Sequence, residues 1–198
     1  MVEPASVRKR YSADEYLALE RASPLKHELI DGEIVAMTGA SRAHNFIVGD
    51  LFVSLRTALR GGPCEVFMSD MRVKVLETGL YVYPDIAVAC GEIQMENSHA
   101  DTLLNPRIII EVLLPSTEAY DRGAKFLHYR KIGSLQAYVI VSQTAPLIEL
   151  FTRQGEMWSL FTLQGLDARL PLAAIGVDVA LRDIYERVEF AEAERLAP

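Results

Sequence analysis

The sequence predicts a mixed α/β fold in the order helix, three strands, helix, strand, with extra β-hairpins at both ends of this core. Three observations carry that prediction. Apolar residues recur at helical spacing between His44 and Leu59, at Phe46, Ile47, Leu51, Leu55 and Leu59. Apolar runs suited to buried strands stand at IAVAC, RIIIEVLL and AYVIVS. Between the last two lies DRGAKFLHYRK, a helical stretch with basic residues in its last turn. A chain of 198 residues can bury one good core, so 1–198 is expected to be a single domain with its core over about 41–142.

The elements follow from local signals. Ser12 and Glu15 have capping-box spacing, which predicts a short helix from about Ala13 to Arg21, ended by Pro24. HELIDGEIVAMTGAS reads as two extended pieces turning at Asp31 and Gly32. The helix after His44 is closed by Gly61, Gly62 and Pro63. CEVFMSDMRVKVLE and YVYPDIAVAC read as two consecutive strands forming a hairpin at Thr78 and Gly79. EIQMENSHADTLLNP is polar and irregular, a loop, whereas RIIIEVLLPST is the most apolar strand and should be central. Ser116 or Thr117 can cap the next helix, which runs toward Lys131 and ends near Gly133. LIELFTRQGEMWSLFTL predicts a hairpin turning at Gln154 and Gly155, and Leu181 to Leu196 has a helical pattern.

Half the residues are hydrophobic and 24% are charged, the balance of a globular protein. No apolar run approaches the roughly 20 residues that span a bilayer, and the N-terminus lacks a signal-peptide core, so no membrane partner and a cytoplasmic location are expected. Cys64 and Cys90 lie far apart without CxxC spacing and are read as free thiols. A formal net charge of −7 argues against general coating of nucleic acid, because that binding rests on Lys and Arg neutralising phosphates. Local positive charge or bound metal ions can still support cutting.

Two carboxylates stand where carboxylates are costly. Glu111 lies inside the apolar run Ile108 to Leu114, so it must be protonated, paired with a cation or bound to metal. Asp85 follows Pro84 and opens IAVAC, where Ala87 and Ala89 leave room on its own face. If the two strands are neighbours, both carboxylates can meet at a divalent cation with oxygen ligands. Lys125, on the helix after the Glu111 strand, can return to the strand end, and Gly123 would let that helix approach the sheet closely.

HELIDGEIV with the later His44, then YPDIAV, IIIEVLLPST, and DRGAKFLHYRKIG followed by AYVIV together resemble the Uma-two family of restriction-endonuclease-like proteins. That family is a branch of the PD-(D/E)xK nuclease superfamily. The resemblance covers most of the chain and implies a restriction-endonuclease-like αβββαβ core, a mixed sheet flanked by helices. It further implies phosphodiester hydrolysis of nucleic acid, with Mg²⁺ or Mn²⁺ held at Asp85, Glu111 and Val112. The superfamily's usual lysine position, two residues after the acidic residue, is Leu113 here. In the Uma-two branch the lysine comes from the following helix in an RGxK context, which Arg122, Gly123 and Lys125 match. Glu28 matches an early glutamate that adds a ligand or orients water.

Each residue also has a plainer reading. Asp85 and Glu111 could pair with nearby cations, Lys125 could pair with Asp121 four residues earlier, and Glu28 could be a strand-end charge. His44 either contacts phosphate from a helix start or serves as a cap. Arg130 and Lys131 suit the negative end of their helix, which leaves Arg122, with His44, as the substrate-binding candidates. A catalytically silent nuclease-fold module that binds nucleic acid or a protein is the rival function. By analogy with nucleases that cut two strands as pairs, a homodimer is the assembly to look for.

Overall fold

The computed structural model describes residues 9–37 and 39–190. The first helix, α1 (Ala13–Ala22), starts on the capping box: the Glu15 amide donates to Ser12 Oγ, and the Glu15 carboxylate accepts from the Ser12 amide at 2.8 Å. It packs Tyr16 and Leu17 against Leu29 and Tyr81. Strands β1 (His27–Ile30) and β2 (Glu33–Ala36) form the first hairpin. Asp31 and Gly32 both have positive φ, 48° and 80°, as a two-residue turn with the strands' own twist requires.

The core begins with α2 (Arg42–Ala58), capped by Ser41, whose Oγ accepts from the His44 amide at 3.0 Å. Four strands follow, β3 (Cys64–Met68), β4 (Arg72–Val75), β5 (Leu80–Val82) and β6 (Ile86–Cys90). A two-residue strand β7 (Thr102–Leu103) and the buried β8 (Ile108–Val112) come next. The second helical region consists of α3 (Glu118–Arg122) and α4 (Ala124–Tyr129), followed by β9 (Ala137–Val141). The chain then adds β10 (Leu147–Gln154), β11 (Met157–Gln164), β12 (Arg169–Leu172), β13 (Val177–Ala180) and a short α5 (Leu181–Ile184).

Six strands form the main sheet in the order β11, β10, β9, β8, β6, β3. β8 runs parallel to β9 and antiparallel to β6, so the sheet is mixed. Along α2, β3, β6, β8, α3 with α4, and β9 the expected helix, three strands, helix, strand order holds. One face packs Ile86, Val88, Ile108 and Ile110 against Ile47, Leu51 and Leu55 of α2. The other packs Ala87, Ala89, Ile109 and Leu113 against Tyr129, Ile132 and Leu135.

Several local expectations are corrected. The two predicted long strands are four, because a turn closed by the Met71 amide on the Met68 carbonyl breaks one and Pro84 breaks the other. The β4–β5 hairpin does turn at Thr78 and Gly79, but it leaves the core to join a second sheet, β2, β1, β5, β4, β7. Its departure lets β3 pair with β6, and that register sets Cys64 opposite Cys90. The two cysteines are joined in a disulfide and are not free thiols. Strand β7 lies inside the stretch expected to be loop and pairs parallel with β4. Gly123 is not in a helix interior; it divides α3 from α4, and a Cβ there would stand 3.1 Å from the Ala119 carbonyl. The stretch 169–180 forms the β12–β13 hairpin, for which no element was expected. The final helix covers only Leu181–Ile184, and the end of its expected range, 191–196, lies outside the described residues.

Among the described residues, no helix is long and apolar enough to cross a membrane.

Candidate active site

Strand register builds the centre of the site. Ala87 faces Ile109 and Ile86 faces Ile110, so one more step along the same ladder brings Asp85 beside Glu111. Pro84 ends regular pairing there and leaves the Asp85 side chain free to turn toward β8. Its Oδ2 accepts from the Val112 amide at 2.8 Å and lies 3.1 Å from His44 Nε2. Alternation along β8 sends Ile108, Ile110 and Val112 toward α2 and puts Glu111 on the α4 side with Ile109 and Leu113.

The Glu111 residue is only 5% exposed. Its Oε1 accepts from the Tyr129 hydroxyl at 2.7 Å and from Lys125 Nζ at 2.8 Å. The break at Gly123 starts α4 afresh, so Lys125 and Tyr129, four apart, share the face turned to the sheet. Lys125 is 6% exposed and also lies 3.3 Å from Asp121 Oδ1 and 3.7 Å from Glu28 Oε1. Glu28 Oε1 accepts from the Tyr83 amide at 3.3 Å, which ties the first hairpin to the core. Glu28, His44, Asp85, Glu111, Val112 and Lys125 all line one cavity of about 260 Å³.

Three carboxyl groups, Glu28, Glu111 and Asp121, thus surround one ammonium, and Asp85 stands beside Glu111 on His44. Burial pushes the Glu111 carboxyl up to about 8; Lys125 pulls it back, while Asp121 and Asp85 add to the rise. Burial opposes the charge on Lys125, yet Glu111, Glu28 and Asp121 outweigh it and hold the ammonium well above its ordinary value. The site is short of positive charge, and Lys125 is a fixed cation in it, not a base.

That shortage bears on whether a metal fits. Among the described residues, no three His, Cys, Asp or Glu side chains are grouped so as to hold an ion by themselves. Mg²⁺ and Mn²⁺ need less: a hard ion that keeps several waters takes one or two carboxylates. On Asp85 and Glu111 the hydrogen bonds fall on Oδ2 and Oε1, leaving Oδ1 and Oε2 as donors. Charge, donor type and space therefore suit a hydrated divalent cation and suit Zn²⁺ poorly.

Of the expected catalytic, metal-binding and substrate-binding residues, Arg122 alone does not line the cavity: it pairs with Glu118 at 2.8 Å and with Glu149. Lys131 is likewise taken up, by Glu77 at 2.6 Å, so the basic helix presents little free charge. Sequence reasoning missed Asp121, Tyr129 and Tyr120 as parts of the site. Asp121 accepts from the Thr117 hydroxyl at 2.7 Å and is buried, whereas helical spacing marks it only as an ion-pair partner of Lys125. Tyr120 lines the cavity, and its buried hydroxyl has no hydrogen-bond partner among the described residues. The helical spacing of Lys125 and Tyr129 could have signalled the latter; no sequence feature marks Tyr120.

Residues 13–182 match the model of the Uma2 family, whose description reads "Putative restriction endonuclease". Two uncharacterized proteins of Synechocystis are similar along nearly their full lengths. One, slr1290, is 37% identical over 94% of this chain and 97% of its own, and the other, sll1609, is 34% identical over 82% and 92%. The fold is similar to the crystal structure of "a putative nuclease belonging to DUF820" from Anabaena variabilis, with a TM-score of 0.74, 18% identity, and coverage of 89% of this chain and 98% of that one.

Proposed function

Because this chain belongs to the Uma2 restriction-endonuclease-like family, we propose that the cavity between Glu28, Asp85, Glu111 and Lys125 hydrolyses phosphodiester bonds of nucleic acid with the help of Mg²⁺ or Mn²⁺. The observation that carries this reading is the excess of acid: four buried or half-buried carboxyls against Lys125 and the His44 imidazole, in a cavity open to a ligand.

Asp85 and Glu111 would hold the ion through Oδ1 and Oε2, and Val112 could add its main-chain carbonyl. A bound divalent cation supplies charge at the scissile phosphate and lowers the pKa of its own water. His44 keeps Asp85 in place through Oδ2, so its role is to position a carboxylate and not to grip phosphate. Lys125, permanently charged, offsets the negative charge that builds on the phosphoryl oxygens, and Tyr129 holds the Glu111 oxygen that Lys125 shares. Glu28, whose Oε1 lies 3.7 Å from Lys125 Nζ, would orient the attacking water. The water oxygen bonds to phosphorus and gives up one proton to solvent as the bond to the leaving sugar oxygen breaks, and that oxygen takes a proton from solvent in return.

Supercoiled, linear double-stranded and single-stranded DNA and RNA should be incubated with the protein in Mg²⁺, Mn²⁺ or EDTA. At least one substrate is expected to be cut with metal only, and Asp85→Ala should lower the rate about a hundredfold or more while leaving the circular dichroism spectrum unchanged. Metal-dependent binding with no turnover on any substrate would favour the silent module, which the net charge of −7 also suits.

A further inference from the structure

Tyr120, on α3, lines the same cavity as Glu28, Asp85, Glu111 and Lys125. The backbone around it is held on both sides. Its amide donates to the Thr117 carbonyl at 2.9 Å, its carbonyl accepts from the Gly123 amide at 3.2 Å, and the next carbonyl, of Asp121, accepts from the buried Tyr138 hydroxyl at 3.0 Å. The residue is half-buried, yet the hydroxyl at its tip is closed off from bulk water, so the side chain points inward. The charges that bear on that hydroxyl most are those of Lys125, Glu28 and Asp121, at the acidic centre of the cavity.

Donors in this cavity are scarce, and the others are committed. Lys125 is shared among Glu111, Asp121 and Glu28. The Thr117 hydroxyl goes to Asp121, the Tyr83 hydroxyl goes to Glu20, and His44 Nε2 faces Asp85. Ser116 is exposed to water. Of the cavity's residues, Tyr120 alone keeps a buried hydroxyl with no partner among the described residues. Such a group opposes folding unless something outside the chain completes it. Burial, countered by Lys125 and reinforced by Glu28 and Asp121, holds its pKa well above the ordinary tyrosine value, so it stays a neutral donor.

The chemistry of the cavity limits what that donor can receive. A divalent cation needs acceptors, and a water bound here finds acceptors for its protons in the surrounding carboxyls. A phosphodiester is the opposite case: its non-bridging oxygens only accept, and they bring negative charge into an acidic cavity whose one ammonium is already divided. We propose that the Tyr120 hydroxyl donates to a non-bridging oxygen of the scissile phosphodiester, as a catalytic residue of the hydrolysis proposed above, on which this inference rests. Charge builds on that oxygen as water adds to phosphorus, and the hydrogen bond strengthens with it. Tyr120 keeps its proton throughout.

Tyr120→Phe removes the hydroxyl and nothing else. On a substrate that the wild type cuts, kcat should fall about a hundredfold, with Mn²⁺ affinity and the melting curve unchanged. When sulfur, a weak acceptor, replaces one non-bridging oxygen, the loss caused by Tyr120→Phe should shrink for one of the two phosphorothioate stereoisomers. If the wild type binds nucleic acid without cutting it, hydrolysis fails as the function, and the contact is still expected to show: a labelled oligonucleotide in Mn²⁺ should bind Tyr120→Phe about tenfold more weakly. A variant that cuts as fast, or in that case binds as tightly, as the wild type would overturn the proposal and leave the proposed function untouched. A loss equal for both stereoisomers, or one that follows a loss of Mn²⁺ affinity, would overturn it too, because Tyr120 would then shape the cavity without touching phosphate. A wild type that neither cuts nor binds nucleic acid would overturn both.

Discussion

Two clusters of buried charge lie close together in this molecule, and only one of them balances. In the first, the Arg72 guanidinium donates to Thr102 Oγ1 and the Tyr83 hydroxyl and pairs with Asp101 at 3.0 Å. The Tyr83 hydroxyl donates on to Glu20, which also accepts from His27, while Arg21 closes the far side on Asp101. Two arginines meet two carboxylates. In the second, Lys125 alone meets Glu28, Glu111 and Asp121, with Asp85 beside them. Tyr83 touches both, since its hydroxyl serves the first and its amide donates to Glu28 of the second. A balanced buried network holds α1 to the small sheet; an unbalanced one asks for a cation from outside.

Substitutions break the comparison most strongly. Arg72→Met takes the buried guanidinium away from Thr102, the Tyr83 hydroxyl and Asp101, which keeps only Arg21, and should cost about 2–3 kcal/mol in denaturant melts, with or without Mg²⁺. Asp85→Asn keeps an oxygen for the Val112 amide while removing one of the excess charges, so it should cost less than about 1 kcal/mol and abolish any stabilisation by Mn²⁺. Equal losses for the two variants would erase the distinction between structural and functional charge.

The two clusters should also answer pH in opposite directions. Burial pushes Asp101 up, but the hydrogen bond from Arg21 and the charge of Arg72 prevail and hold it at about 2. Its contribution is present above the ordinary carboxylate value and is lost as pH falls toward 2. Glu111 has the opposite sign: its folded-state value is raised toward about 8 by burial, so metal-free stability should decline as pH rises from the ordinary carboxylate range to that point. Melting curves at successive pH values in EDTA should show both flanks, and Mn²⁺ should flatten only the alkaline one. A metal-free protein that gains stability across that upper window would contradict the charge shortage. The smallest effect concerns Tyr120→Phe, which removes a hydroxyl with no partner among the described residues and should change stability by about 0.5 kcal/mol or less. A loss near 2 kcal/mol would mean that the hydroxyl is bonded and the cavity more closed than this account has it.

Much of this contrast was legible in the sequence, for a physical reason. A carboxylate inside IIIEVLL has few permitted states, so Glu111 advertised itself, and Pro84 with small alanines did the same for Asp85. The core element order was readable because helical and strand periodicities differ. Register was not readable. Nothing in CEVFM or IAVAC shows that they pair while the intervening hairpin leaves for another sheet, so the Cys64–Cys90 link was hidden. The balanced cluster was hidden too: Arg72 comes from a half-polar strand and Glu20 from a helix, and only the long-range fold brings them together through Tyr83. Likewise Asp121 looked like a surface partner at helical spacing until the break at Gly123 turned α4 into the sheet.

Calorimetric titration of Mn²⁺ into metal-free wild type and Asp85→Asn at neutral pH tests the metal site most directly. The wild type should give a saturable exothermic or endothermic isotherm, with affinity lost at least about tenfold in Asp85→Asn although that variant melts as cooperatively as its parent. A wild type that takes up no divalent cation, or an Asp85→Asn variant that binds it equally well, would contradict the claim that the charge shortage around Lys125 marks a metal-dependent site.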